Sequence, residues 1–200
     1  MRVVVALLLV ALSFPVPARA GDDFDALEAS AERIDFLEPF LAKYVGRCRE
    51  GYEKRTCEAN VLASRKAVAG KTFFVRVPDA TSLVKPVLRD GAFLLLVTPF
   101  VDGGGLALTN GAPASQDRSG QPVIGLIPIE GTLPPGMLEM EFESPFRTGA
   151  VELEIVFRPM RTWKMARKHE TGSYEGVAAR FLGIRLVDSR TGSPIVAKVL

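Results

Sequence analysis

PGMLEMEFESPFRTGAVELEIVFRPM, residues 135–160, contains two runs in which apolar and charged side chains alternate. Leu138, Met140 and Phe142 alternate with Glu139, Glu141 and Glu143; further on, Val151, Leu153, Ile155 and Phe157 alternate with Glu152, Glu154 and Arg158. A period of two predicts a pair of half-buried strands, each with one apolar and one solvated face. The break between them, Ser144-Pro145-Phe146-Arg147-Thr148-Gly149, supplies loop residues, so the pair is expected to form a hairpin. With Phe142 opposite Val151, Glu141 faces Glu152 and Glu139 faces Glu154, and a slip of two residues still opposes glutamates. Each such pair costs a few tenths to ~1 kcal/mol. Solvent together with basic residues on a flanking strand, Arg180 and Arg185 foremost, would offset that cost; a bound cation or basic partner is the functional alternative. Glu139, Glu141, Glu152 and Glu154 are therefore candidate partner-binding residues. Calcium would need a loop richer in oxygen ligands than any in this chain.

The hairpin runs into Arg158-Pro159-Met160-Arg161-Thr162-Trp163-Lys164-Met165-Ala166-Arg167-Lys168, which holds the only tryptophan. Trp163 with Arg161, Lys164 and Arg167 could stack on sugars or lie against an anionic envelope surface. The plainer expectation is that Trp163 and Met165 cover the open end of the core while the charges face water. Val177 to Val187 is extended again. Its apolar parity changes near Gly183, which predicts a bulge that turns Ala179, Phe181, Ile184 and Leu186 inward and Arg180 and Arg185 outward. A turn at Ser189–Ser193 leads to a last strand, Ile195–Val199.

Towards the N-terminus, Phe73–Val77, Ala92–Val97, Leu106–Thr109 and Val123–Ile129 read as strands, with a polar loop over 110–121. Before them, residues 22–45 carry an apolar stripe at helical spacing (Phe24, Leu27, Ala31, Ile34, Leu37, Leu41, Tyr44) with Pro39 as a kink or restart. A second helix is expected over 53–69, its buried side lined by Cys57, Val61, Leu62 and Val68 and its end marked by Gly70. The fold class read from this pattern is α+β, with a helical hairpin packed on an antiparallel β-sandwich or partly open barrel. The expected organisation is a signal peptide over 1–20, the helical hairpin over 21–70 and the β domain over 71–200, with 21–200 as one folding unit.

The leader is read from Arg2, the apolar run Val3–Leu12 and the small-residue cleavage pattern Ala18-Arg19-Ala20. Setting Arg2 and Arg19 aside leaves 23 of the 25 basic residues against 23 acidic ones, so the formal charge of +2 falls to zero. That neutrality argues against general nucleic-acid binding, which needs excess basic charge to neutralise phosphates. In an exported chain the two cysteines, Cys48 and Cys57, are expected to pair, closing a small loop worth about 2–3 kcal/mol. One histidine and two cysteines do not complete a metal shell, and no cofactor is expected.

The run Cys48-Arg49-Glu50-Gly51-Tyr52-Glu53-Lys54-Arg55-Thr56-Cys57-Glu58-Ala59-Asn60-Val61, followed by Gly70-Lys71-Thr72-Phe73-Phe74-Val75-Arg76-Val77, resembles an uncharacterised family of exported proteins from myxobacteria-like bacteria. The resemblance implies secretion and a domain of unknown function; it brings no catalytic residue.

Enzyme signatures are sparse. His169 is the only histidine and lies in a charged loop. Gly172-Ser173-Tyr174-Glu175-Gly176 has the spacing G-S-x-x-G rather than that of a nucleophile elbow. Gly103-Gly104-Gly105 lacks the following lysine or helix of a phosphate loop. The expected function is therefore a secreted or periplasmic, non-enzymatic binding or envelope-associated protein whose partner is an envelope component or another protein. The alternative is an extracytoplasmic hydrolase using carboxylates from loops of the β domain.

Overall fold

The computed structural model describes residues 20–48, 51, 53–168 and 171–200. Residues 1–19 of the expected leader, His169 and part of the segment between the two cysteines lie outside the described residues. The chain is a mixed α/β structure with several sheets, none of them closed. Its helices are α1 (Ala20–Ala29), α2 (Leu37–Val45), α3 (Lys54–Val68) and α4 (Glu139–Arg147). The strands are β1 (Glu32–Ile34), β2 (Phe73–Val77), β3 (Val84–Arg89), β4 (Ala92–Val97), β5 (Phe100–Asp102), β6 (Ala107–Asn110), β7 (Ser115–Gln116), β8 (Pro122–Val123), β9 (Ile127–Thr132), β10 (Val151–Ala166), β11 (Ser173–Asp188) and β12 (Ser193–Val199).

The antiparallel pair β10–β11, 16 residues each, is the spine. Along one edge, β2 pairs with Leu153–Phe157 of β10, and β1 runs parallel to β2. The far edge of β11 is shared: β6 lies parallel to Gly176–Ala179, and β12 lies antiparallel to Gly183–Asp188. A second sheet, β3–β4–β9, contributes Phe93, Leu95, Val97, Ile127 and Ile129 to the same apolar core as Val151, Leu153, Ile155 and Phe157 of β10. Leu41 and Tyr44 of α2 and Phe142 and Phe146 of α4 complete this inner side. The outer side of the large sheet is covered only in places. Phe24 of α1 packs on Phe74 and Val156 with Leu27 and Leu182 alongside, and Trp163 packs with Ala107 and Ala178.

The expected hairpin over 138–157 is overturned. Residues 139–147 form α4, and the partner of β10 is β11. Helical spacing, not alternation, is what satisfies this segment: Phe142 and Phe146, four apart, are buried, whereas Leu138 and Met140 are 59% and 60% exposed. The Phe142 ring stacks on Phe93 at a centroid distance of 4.7 Å. The first turn is held by carboxylates, where the helix has unpaired N–H groups. The Leu138 N–H donates to Glu141 at 3.1 Å, and the Gly91 N–H donates to Glu139 at 3.2 Å. The opposed-glutamate ladder therefore does not exist.

The helix expected over 22–45 is also divided, with β1 between α1 and α2. Pro39 falls in the first turn of α2, where its missing N–H breaks no helical bond. α1 covers the outer side and α2 the inner side of one sheet, so residues 21–70 hold three helices and a strand where two helices were expected. Leu62, expected to be buried on α3, is 54% exposed. The sulfurs of Cys48 and Cys57 lie at disulfide distance, with Cα atoms 5.7 Å apart, joining the segment after α2 to the first turn of α3. The predicted bulge is present. Gly183 and Phe181 oppose consecutive β10 residues, and Ala179, Phe181, Ile184 and Leu186 all reach the inner core.

Candidate functional site on the outer face of the long hairpin

Alternation along β10 and β11 places Glu152, Glu154 and Val156, and across from them Arg185, on the outer side of the sheet. The ladder sets Arg76 of β2, Glu154 and Arg185 side by side on one rung. Glu154 is 1% exposed, and both of its oxygens are taken. Arg76 donates to Oε1 from Nε at 3.0 Å and from Nη2 at 2.7 Å, and Arg185 Nε donates to Oε2 at 2.5 Å. Arg185 reaches on to α1, donating to Asp25 and, at 2.6 Å, to Glu28, while its guanidinium lies 4.5 Å from the centre of the Phe24 ring. Glu152 contacts Arg76 at 2.9 Å. Burial pushes its carboxyl above the ordinary glutamate value, Arg76 pulling it back only in part. Here charges of both signs are interlocked, and α1 is fastened to the sheet by them.

One turn of the ladder further along, the balance changes. Arg158 of β10 directly opposes Arg180 of β11. Past a register shift between Pro159 and Arg161, Arg161 opposes Ala178. Residues three apart on a regular strand point to opposite sides. The extra residue at Met160 cancels that parity, so Arg158 and Arg161 oppose residues of β11 that are two apart and share a face. That face is the outer one, since Ala178 packs with Trp163 and Ala107, whereas Val177 and Ala179 lie in the inner core. All three arginines are exposed. No carboxylate among the described residues pairs with any of them; Arg158 makes a single long contact, 3.4 Å to the Thr72 hydroxyl. Directly opposed like charges cost a few tenths to ~1 kcal/mol. The same hairpin neutralises every charge at its other end, so this cationic rung stands out by contrast.

The residues marked by the sequence fall into three groups. Arg161 belongs to the cationic patch. Trp163 is internal, 9% exposed, its indole N–H donating to the Thr109 hydroxyl at 3.0 Å while that hydroxyl donates to the Gly111 carbonyl at 2.7 Å. Lys164 is engaged with Glu175, 2.7 Å away, in a cleft of about 720 Å³ that also contains Arg47, Thr162 and Ser173. The Arg167 guanidinium lies 4.6 Å from the centre of the Tyr174 ring. Of the glutamates, Glu139 and Glu141 serve the start of α4, and Glu152 and Glu154 serve the ion network. Of the two arginines expected to offset glutamate charge, Arg185 does so and Arg180 does not. The sequence pointed to neither Arg158 nor Arg180 as a binding residue. The signal that could have found them is the R-P-M-R run, where two arginines share a face only across a bulge.

Glu175 is held below its ordinary value by the hydrogen bond from Lys164, and Asp188 by that from Arg190. Their contribution to stability is complete above the unfolded carboxylate value, about 4, and is lost as pH falls through the lower folded value. Glu152 has the opposite sign. Its contribution declines as pH rises from the unfolded value through the raised folded one. Thermal melts between about pH 2 and 7 should therefore show a shallower acid limb for Glu175→Gln than for the parent chain. An unchanged limb would mean that the pairs made by Glu175 carry no folding energy.

The chain belongs to DUF6066, a family of unknown function, whose model matches residues 1–198. No curated protein and no solved structure matches it. Among the described residues no helix is long and apolar enough to cross a membrane, and no group of three or more His, Cys, Asp or Glu side chains is placed to hold a metal.

Proposed function

We propose that this member of DUF6066 is an extracytoplasmic, non-enzymatic binding protein that engages an anionic component of the cell envelope through Arg158, Arg161 and Arg180. One observation carries the reading: Arg158 and Arg180 are directly opposed on an exposed sheet face, and among the described residues no carboxylate pairs with either. Such an arrangement is unfavourable in the free protein and becomes favourable when an oxyanion lies between the guanidinium groups, which present planar forks of donors to it. Export is supported by the paired cysteines, which persist in oxidising compartments. A sandwich-like single folding unit is supported by the core shared between the large sheet, β3–β4–β9, α2 and α4.

A hydrolase built on carboxylates would need a pair free to exchange protons. Glu152 has the raised carboxyl, but its neighbour Glu154 is saturated by guanidinium donors, which weighs for binding over catalysis. The test is retention on an immobilised sulfated polysaccharide. The double variant Arg158→Gln/Arg180→Gln should elute at lower salt, with the salt slope of binding reduced by about two counterions. Both positions are exposed, so the fold should be kept, as circular dichroism would verify. Equal retention of parent and variant would refute the assignment.

A further inference from the structure

The chemistry of the patch narrows the partner further, resting on the reading just given. The three arginines project from a sheet surface rather than converging in a cavity, which suits an extended anionic plane better than a small ligand. The bulge that aligns them also leaves Met160 outside the ladder, 58% exposed, between Arg158 and Arg161 in the chain. An exposed apolar side chain flanked by guanidinium groups has no use for a soluble polyanion. At a lipid surface each part has a site: guanidinium groups on headgroup phosphates, and the methionine among the first methylenes below them.

We propose that this face docks peripherally on an anionic phospholipid surface, with Arg158, Arg161 and Arg180 on the phosphates and Met160 inserted between headgroups. Docking of this kind needs no spanning segment. A basic residue near an anionic bilayer contributes about 1 kcal/mol, equivalent to roughly fivefold in affinity, so removing two should weaken binding about 30-fold.

The experiment is co-sedimentation of the purified whole-chain protein with vesicles of phosphatidylcholine alone and of phosphatidylcholine mixed with phosphatidylglycerol, alongside binding to soluble inorganic polyphosphate. The expected result is binding that depends on phosphatidylglycerol, reduced about 30-fold by Arg158→Gln/Arg180→Gln. Met160→Ser should weaken vesicle binding severalfold and leave polyphosphate binding unchanged. Comparing variants of the same chain cancels any contribution of its N-terminal apolar run. Three outcomes overturn the proposal. Equal binding to neutral and anionic vesicles removes the requirement for an anionic surface. Vesicle binding insensitive to Met160→Ser, with polyphosphate binding lost in the double arginine variant, makes the ligand a soluble polyanion and leaves the broader function standing. Loss of neither vesicle nor polyphosphate binding in the double arginine variant removes both.

Discussion

Replacing Glu154 with alanine should lower the stability of the fold by about 3–5 kcal/mol, the cost of breaking a buried ion pair by removing one partner. Glu154 is the centre of a three-strand rung, and its two oxygens receive three guanidinium bonds. Removing the carboxylate leaves Arg185, with a side chain only 15% exposed, holding the acids of α1 and nothing on the sheet. Arg76 retains Glu152 and is 46% exposed, so water relieves part of its loss. The damage should therefore concentrate on Arg185 and spread to α1, whose Phe24 lies under that guanidinium. Chemical denaturation would give the magnitude, and hydrogen exchange of α1 amides would show where it falls. For a domain of ordinary stability, 5–15 kcal/mol, such a loss is a large share. A Glu154→Ala/Arg185→Met double variant should recover part of it, because the stranded cation is removed together with its partner. A single-variant loss below about 1 kcal/mol would mean that desolvation cancels what the guanidinium bonds provide.

The rung also shows where sequence reading stops. Alternation in β10 and the parity change near Gly183 in β11 were both visible, because each lies within one strand. So was α3, from its spacing and Gly70. Residues 138–143 misled because three apolar–acidic repeats satisfy a period of two, while the period that the fold uses needs Phe146 to be counted as well. Leu138, Phe142 and Phe146 stand four apart, with carboxylates in the first turn, and that is a helix signal. Of the partners of Glu154, Arg185 was expected from the sequence, but Arg76 could not be read locally: it is 78 residues away, and its strand has no mark of adjacency to β10. The cationic patch was half legible. Arg161 was visible as a basic residue near Trp163, but its sharing a face with Arg158 depends on the bulge at Met160. For Trp163 the plainer expectation, burial, is the one met, and its neighbour Gly176 on β11 is what makes room for the indole.

That glycine gives the second large effect. Gly176 pairs with Trp163 on β10 and with Ala107 on β6, and its φ is not in the left-handed region, so what it supplies is space. A Cβ there would stand 2.2 Å from the Ala107 carbonyl oxygen and 2.9 Å from two carbons of the Trp163 indole. The indole could give way, but the carbonyl belongs to the backbone of a paired strand, so relief requires β6 to move off β11. Overpacking a core side chain costs about 1–3 kcal/mol, and displacing a strand lies at or above the top of that range. Gly176→Ala is therefore expected to cost about 3 kcal/mol. The movement would also separate Trp163 from Thr109 on β6, leaving the indole N–H without its acceptor. Because Trp163 is the only tryptophan, its fluorescence reports on this contact alone, and the variant should show a red shift before global unfolding. Gly125→Ala provides the control, since nothing lies within 4 Å of its Cβ position and its φ is unstrained. Its effect should stay within about 0.5 kcal/mol. If Gly176→Ala were equally mild and left the fluorescence unchanged, the packing of Trp163 between β6 and β11 would be wrong, and the tryptophan would return to consideration as a surface contact.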